Sequence, residues 1–98
     1  MLHHVILWKI KEEIADKDAV KAQVKAGLEG LKGVIPGIEK MEVITCGLET
    51  STCDIMLDSV FTDEAALKAY AVHPEHVKVA DNYVRPNMAV RMCMDYMD

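Results

Sequence analysis

The sequence has few aromatic residues, few cysteines and no long apolar run. The apolar run near its start, residues 5–8, ends at Lys9. It is far short of the ~20 residues that a bilayer-spanning helix needs, and too short for the core of a signal peptide. Three cysteines without a Cys-x-x-Cys pair predict free thiols rather than a disulfide framework. We therefore expect a cytoplasmic protein with no membrane partner.

Positive charge is also scarce. The 11 lysines and arginines are outnumbered by 16 aspartates and glutamates, which gives a net charge of −5. Nucleic-acid surfaces need clustered basic residues, so we expect no nucleic-acid partner. The sequence contains neither a glycine-rich phosphate loop nor the spacing of a Ser-His-Asp or Cys-His nucleophile. We therefore expect no cofactor.

What the sequence does contain is the composition of a globular domain. Of its 98 residues, 51% are hydrophobic and 28% are charged, which suffices for a thin core in one domain. We expect residues 1–98 to form that single domain. Seven methionines stand against one phenylalanine. Because methionine is flexible and polarizable, this ratio favours an adaptable core or pocket.

Hydrophobic periodicity predicts the secondary structure. Alternating side chains predict strands at 3–11, 39–46, 53–61 and 87–96. Apolar stripes with helical spacing predict helices at 17–32 and 63–72, with a shorter helical turn at 75–82. The predicted N-caps are Asp16 and Thr62, and Pro74 suits the first position of the short turn. Gly33 and the turn at 35–37 end the first helix.

The predicted order β-α-β-β-α-β is that of a ferredoxin-like α+β fold. In this fold the helices cover one face of a four-stranded antiparallel sheet. The other face also carries apolar residues, and left bare it would exceed the few hundred Å² or so that a monomer tolerates. We therefore expect a homodimer, most simply with two sheets facing each other in twofold symmetry. The cavity between a sheet and its cover would hold a small hydrophobic or carbonyl-bearing ligand.

Five segments resemble one known family. They are HHVILWKIK at 3–11, IPGI at 35–38, DIMLDSVF at 54–61, AYAVHPEH at 69–76 and MDY at 94–96. Together they resemble the stress-responsive α/β-barrel (Dabb) domain over nearly the whole chain. The resemblance implies ferredoxin-like protomers that pair into a dimeric α+β barrel. Most members of this family have no assigned reaction. Some are stress-induced plant proteins, and others are polyketide cyclases that use no metal or organic cofactor.

The cyclases of this family imply three candidate catalytic residues. The matching positions are Tyr70 and His76, with His4 as a pocket neighbour. The chain differs from the cyclases at Ile55, where they carry a histidine, and at Leu28, where they carry a tyrosine. In this reading His76 is a general base, and Tyr70 donates to the enolate oxygen that develops. In the alternative reading His76 only ends its helix or packs against the first strand.

The candidate pocket-lining residues are Trp8, Ile6, Ile55 and Leu28. Trp8 shares a face of the first strand with the candidate histidine, although an isolated aromatic residue is also typical of a core. Arg91 in the last strand has two readings. It pairs with Asp54 or Asp58 across the sheet, or it binds an anionic ligand.

We expect no metal site. His73 precedes His76 by three residues, but Pro74 between them breaks the helical spacing, and no carboxylate or cysteine nearby has a convincing position for a third ligand. Three functions stay open. The chain is a homodimeric binding or stress-associated domain, or a cofactor-free enzyme of carbonyl chemistry such as a cyclase, isomerase or decarboxylase. The third is an oxygenase or haem-handling enzyme of the wider dimeric barrel group, which would need His73 or His76 as its axial ligand.

Overall fold

The computed structural model describes residues 1–98. Its elements are β1 (Leu2–Ile10), α1 (Lys17–Glu29), β2 (Ile38–Ile44), β3 (Ile55–Phe61), α2 (Glu64–Val72), α3 (Pro74–Val79) and β4 (Met88–Met97). A π-helical turn, Ala80–Val84, and a 3₁₀ turn, Arg85–Asn87, connect α3 to β4. The antiparallel sheet has the strand order β2-β3-β1-β4. The predicted ferredoxin-like α+β fold is therefore confirmed.

Helix α1 is shorter than predicted. It ends at Glu29 rather than at residue 32, although Leu31 beyond it is still buried. The chain then turns through Gly33 and Gly37, both of which have a φ of +88°. Glycine adopts this left-handed conformation without steric cost. None of the helices combines the length and the hydrophobicity that crossing a membrane demands.

The helix N-caps follow the expected chemistry, with one correction. Asp16 caps α1, since its carboxylate accepts a hydrogen bond from the Ala19 backbone N–H at 3.0 Å. Helix α2 is capped by Asp63 and not by Thr62, because the Asp63 carboxylate accepts from the Ala66 N–H at 2.8 Å. Either residue type can cap a helix, and the predicted start of α2 was therefore one residue too early.

The core lies between the helices and one face of the sheet. Seventeen buried hydrophobic residues form it, including Val20, Val24 and Leu28 of α1 and Ile55, Leu57 and Phe61 of β3. Burial of alternate residues along β1 and β3 shows that one face of each strand packs against the helices.

The opposite face of the sheet has no cover in the protomer. Exposed apolar residues lie along it, on β1 at Leu7 and on β4 at Val90, Met92, Met94 and Tyr96. Met92 lies directly opposite Leu7 in the strand register, so their side chains share this face. We call this side of the sheet the open face.

Candidate functional site

A cavity of about 430 Å³ lies between the helices and the β1–β4 side of the sheet. Ten of its sixteen lining residues are hydrophobic. This volume falls in the range of small-molecule sites, which combine apolar walls with a few polar groups. The other six lining residues come from β1, β4 and the helical segment that runs from α2 to the 3₁₀ turn: His4, Lys68, His76, Arg85, Arg91 and Asp95. Two of the ten hydrophobic residues, Tyr70 and Cys93, add a hydroxyl and a thiol.

A bend between α2 and α3 brings two of the candidate residues together. Pro74 occupies the first position of α3, and His73 caps this helix by accepting a hydrogen bond on Nδ1 from the Glu75 N–H at 3.1 Å. Tyr70 therefore lies in the last turn of α2 and His76 in the first turn of α3. The centroids of their rings are 4.1 Å apart.

His76 is positioned as a neutral base at the cavity wall. Its Nδ1–H donates to the Ala71 carbonyl oxygen at 3.2 Å. Because a carbonyl only accepts, Nδ1 carries the proton, and the Nε2 lone pair of the neutral ring stays free. Burial lowers the pKa of His76 and outweighs the hydrogen bond to the Ala71 carbonyl, which raises it; the positive charges of Arg85 and Arg91 lower it further. The imidazole is therefore neutral at pH 7 and ready to accept a proton.

Tyr70 is positioned as a hydrogen-bond donor. Its side chain is only 2% exposed, and its ring centroid lies 4.9 Å from that of Phe61. Burial raises the pKa of Tyr70 far above its ordinary value, so the hydroxyl keeps its proton. The hydroxyl has no protein partner, yet no buried side-chain nitrogen or oxygen in the structure is unsatisfied. The hydroxyl must therefore be accessible from the cavity that Tyr70 lines.

His4 lines the same cavity from β1. It is 7% exposed, and its Nδ1–H donates to the Asp95 carboxylate on β4. Its ring meets the ring of Tyr70 edge to face, with centroids 6.4 Å apart. His3 lies on the other face of β1, where its ring stacks on Tyr96. Of the two adjacent histidines, only His4 reaches the cavity.

The predicted pocket-lining residues divide into two groups. Ile6, Trp8 and Leu28 line the cavity, but Ile55 does not. Ile55 is fully buried and lies opposite Trp8 in the register of β1 and β3. Since the cavity extends from β1 toward β4, residue Ile55 on β3 belongs to the core, and Leu57 is the residue of β3 that reaches the cavity wall.

Arg91 has no ion pair, so the cross-strand pairing considered for it is wrong. Asp54 accepts a hydrogen bond from the Ile10 N–H at 2.8 Å, and Asp58 pairs with Lys40 at 2.7 Å. Arg91 lies instead on the helix-facing side of β4 and lines the cavity. Its guanidinium is therefore available to an anionic group.

Sequence reasoning missed four polar residues of the cavity. These are Lys68, Arg85, Cys93 and Asp95. The alternation along β4 places Cys93 and Asp95 on the face opposite the methionines, but it does not show which of the two faces packs against the helices. The register, in which Asp95 lies opposite His4, supplies that information.

The fold and the cavity define a ferredoxin-like α+β protein with a small-molecule-sized pocket between the sheet and its helices. The family model of the stress responsive A/B barrel domain, Dabb, matches residues 2–98. The chain belongs to this family, as the sequence predicted. No curated protein matches the chain significantly.

Solved structures support the same fold. A dimeric protein of unknown function and ferredoxin-like fold from Bacteroides fragilis is 29% identical, with a TM-score of 0.90 over 99% of this chain and 95% of that one. A dimeric ferredoxin-like protein of unknown function from Thermobifida fusca is 20% identical, with a TM-score of 0.83 over 99% and 90%. The hydroxynitrile lyase from Passiflora edulis is 15% identical, with a TM-score of 0.81 over 99% and 92%.

Proposed function

We propose that this protein binds a small carbonyl-bearing molecule in the cavity, as one half of a homodimer. The observation that carries the proposal is a largely apolar wall that holds two uncharged polar groups without a partner, the Tyr70 hydroxyl and Nε2 of His76. A carbonyl oxygen would accept from the hydroxyl, while Ile6 and Trp8 would cover the hydrocarbon part. Unpaired polar groups at an apolar wall favour a ligand that pairs them.

The homodimer is supported by the open face of the sheet. Met92 and Met94 on this face are 65% and 68% exposed. Leu7 lies opposite Met92 on the neighbouring strand β1, so the apolar surface extends across two strands. Apolar patches of this kind mark interaction surfaces, and a second copy with twofold symmetry covers such a patch with its own. The proteins from Bacteroides fragilis and Thermobifida fusca are themselves described as dimeric.

The binding proposal is tested by blocking the cavity. Ala71 lines it from α2, whereas Ala69 on the same helix is also exposed but does not line it. We expect at least one member of a panel of β-keto esters, quinones and phenolic ketones to bind the unmodified protein and Ala69→Trp in calorimetry. Ala71→Trp should lose that binding. If no carbonyl compound binds, or if both variants bind alike, the proposal is wrong.

A second candidate function is proton abstraction beside a carbonyl, without a cofactor. The specific observation that favours it is the contact between a neutral base, His76, and a buried donor, Tyr70. Nε2 would take a proton from carbon next to the carbonyl. The electron pair of that C–H bond would form the C=C bond of an enolate, and the π pair of the carbonyl would move to its oxygen. The Tyr70 hydroxyl would donate to this oxygen. The hydroxynitrile lyase from Passiflora edulis shares the fold alone, so this candidate rests on the two residues.

Deuterium exchange tests this second candidate. In D₂O the protein should speed deuterium uptake at the carbon between the carbonyls of a bound β-keto ester. His76→Gln should lower the rate by about 10²- to 10⁴-fold, the usual contribution of a general base. The matched control is His73→Asn, because asparagine still caps α3. Binding without exchange above the buffer rate would leave only the binding function.

A further inference from the structure

Three potential metal ligands meet where β1 and β4 face the cavity. They are Nδ1 of His4, Sγ of Cys93 and a carboxylate oxygen of Asp95, and all lie within 4.8 Å of one another. The Cys93 sulfur is 3.8 Å from Nδ1 of His4 and 3.6 Å from Oδ1 of Asp95. The strand register brings them together, since Asp95 lies opposite His4, and Cys93 lies two positions away on the same face of β4.

We propose that these three residues bind a divalent transition-metal ion of the zinc class. Zinc is held by imidazole nitrogen at about 2.0–2.1 Å, thiolate sulfur at about 2.3 Å and carboxylate oxygen at about 2.0–2.2 Å. Tetrahedral angles then separate the ligand atoms by about 3.3–3.6 Å. Both sulfur distances are close to this spacing. Only the contact between His4 and Asp95 must widen, once an ion replaces the proton that they share.

The charges on this face favour a divalent cation. The thiolate of Cys93 and the carboxylate of Asp95 would contribute two negative charges, and His4 would bind as the neutral ring. Arg91, Lys68 and Arg85 border the same cavity and oppose a cation. Arg85 is paired with Asp81, and the two anionic ligands, which would contact the ion directly, balance the charges of Arg91 and Lys68. Because one ligand is sulfur, the site selects against Mg²⁺ and Ca²⁺, which take oxygen ligands.

The ion would keep one coordination position open toward the cavity. All three ligands line the cavity, and Cys93 and Asp95 are exposed on the edge strand. Three protein ligands with an open fourth position are typical of catalytic zinc sites rather than structural ones. Water, or a carbonyl or anionic oxygen of a cavity ligand, would fill this position. The proposal does not depend on the identity of that cavity ligand. It departs from the expectation of no metal site because the three metal-binding residues lie at opposite ends of the sequence, where no local motif connects them.

Metal titration tests the site directly. The full chain, reduced and stripped with chelator, is titrated with Co²⁺ and then with Zn²⁺. We expect one ion per chain and a near-ultraviolet sulfur-to-cobalt charge-transfer band that Zn²⁺ abolishes. Cys93→Ser should remove this band and weaken Zn²⁺ binding by more than ~100-fold, since even outer-shell losses cost 10- to 100-fold. Asp95→Asn should weaken binding in the same direction.

The matched control is Cys46→Ser. Cys46 is exposed in the loop after β2, away from the cluster, so this variant should keep both the band and the affinity. Circular dichroism without metal establishes that each variant is folded before it is titrated. The proposal is overturned if Cys93→Ser keeps the cobalt band, if Cys46→Ser loses it, or if the unmodified chain binds no stoichiometric metal. These outcomes leave the carbonyl-binding proposal standing, since its test uses no metal.

Discussion

The two faces of β4 differ in polarity. Its polar side chains point toward the helices and its apolar side chains point outward, which is the reverse of the usual arrangement. The helix-facing side presents Arg91, Cys93 and Asp95, whereas the open face presents Met92 and Met94. In most antiparallel sheets the apolar set faces the core and the polar set faces water. The reversal shows that the inner side of β4 belongs to a cavity wall, while its outer side is an uncovered apolar surface.

Strand β3 shows the usual order within the same sheet. Its helix-facing residues Ile55, Leu57 and Phe61 are all buried in the core. The difference follows from position, since β3 lies inside the sheet while β4 is an edge strand. One alternating pattern therefore has two meanings, and the place of the strand in the sheet decides between them.

The largest expected effect comes from charging the open face of β4. In Met92→Lys/Met94→Lys the dimer should dissociate at least about 10⁴-fold more readily, because a twofold dimer buries four of these methionines and each contributes at least about 1.5 kcal/mol. The control is Val72→Lys on α2, since Val72 is 76% exposed but lies off the sheet. Sedimentation equilibrium measures both. The proposed use of this face fails if the double variant stays dimeric, or if the unmodified chain sediments as a 10.9 kDa particle.

Periodicity sufficed to predict the fold, because each element repeats a local pattern. Val20, Val24 and Leu28 mark one face of α1, and all three are buried. The site needed more, because Tyr70 and His76 meet at a bend between two helices, but the residues of β1 and β4 meet only through strand register. His4 and Asp95 are 91 positions apart, and no local pattern tells that they lie opposite each other. The resemblance supplied Tyr70 and His76, but it gave no sign of the ligands from β4.

A smaller effect is expected from the ionic contacts on the two faces. Asp95→Asn removes the charge that accepts from the mostly buried His4, and it should lower the free energy of unfolding by about 1 kcal/mol. Asp58→Asn breaks the contact with Lys40 on the open face, and it should cost less because water screens that pair. Urea unfolding with chelator present compares the two. Equal losses would show that the cavity side of the sheet is no less wet than the open face.

The smallest expected effect is a loss of folding stability in acid, which depends in part on the positive charges around His76. Its folded-state pKa lies below the ordinary 6.5 because burial disfavours the charged ring and the nearby charges of Arg85 and Arg91 lower the pKa further. Below about pH 6.5 the unfolded chain binds a proton that the folded chain resists, so stability falls as the pH drops toward the folded-state pKa. His76→Gln should remove this part of the acid loss in urea unfolding between about pH 7 and about pH 5.

The two faces of the sheet can then be compared through a cation on each. Arg91→Gln removes a positive charge from the cavity side, so the pKa of His76 should rise toward its ordinary value and the acid loss should shrink. Lys9→Gln removes one from the open face, where Lys9 lies opposite Val90, and should leave that pKa unchanged because water screens the charge across the sheet. NMR titration of the His76 ring measures both variants. If the pKa of His76 shifts equally in both variants, the charge of Arg91 does not act through the cavity, because removing a cation from the other side of the sheet would have the same effect.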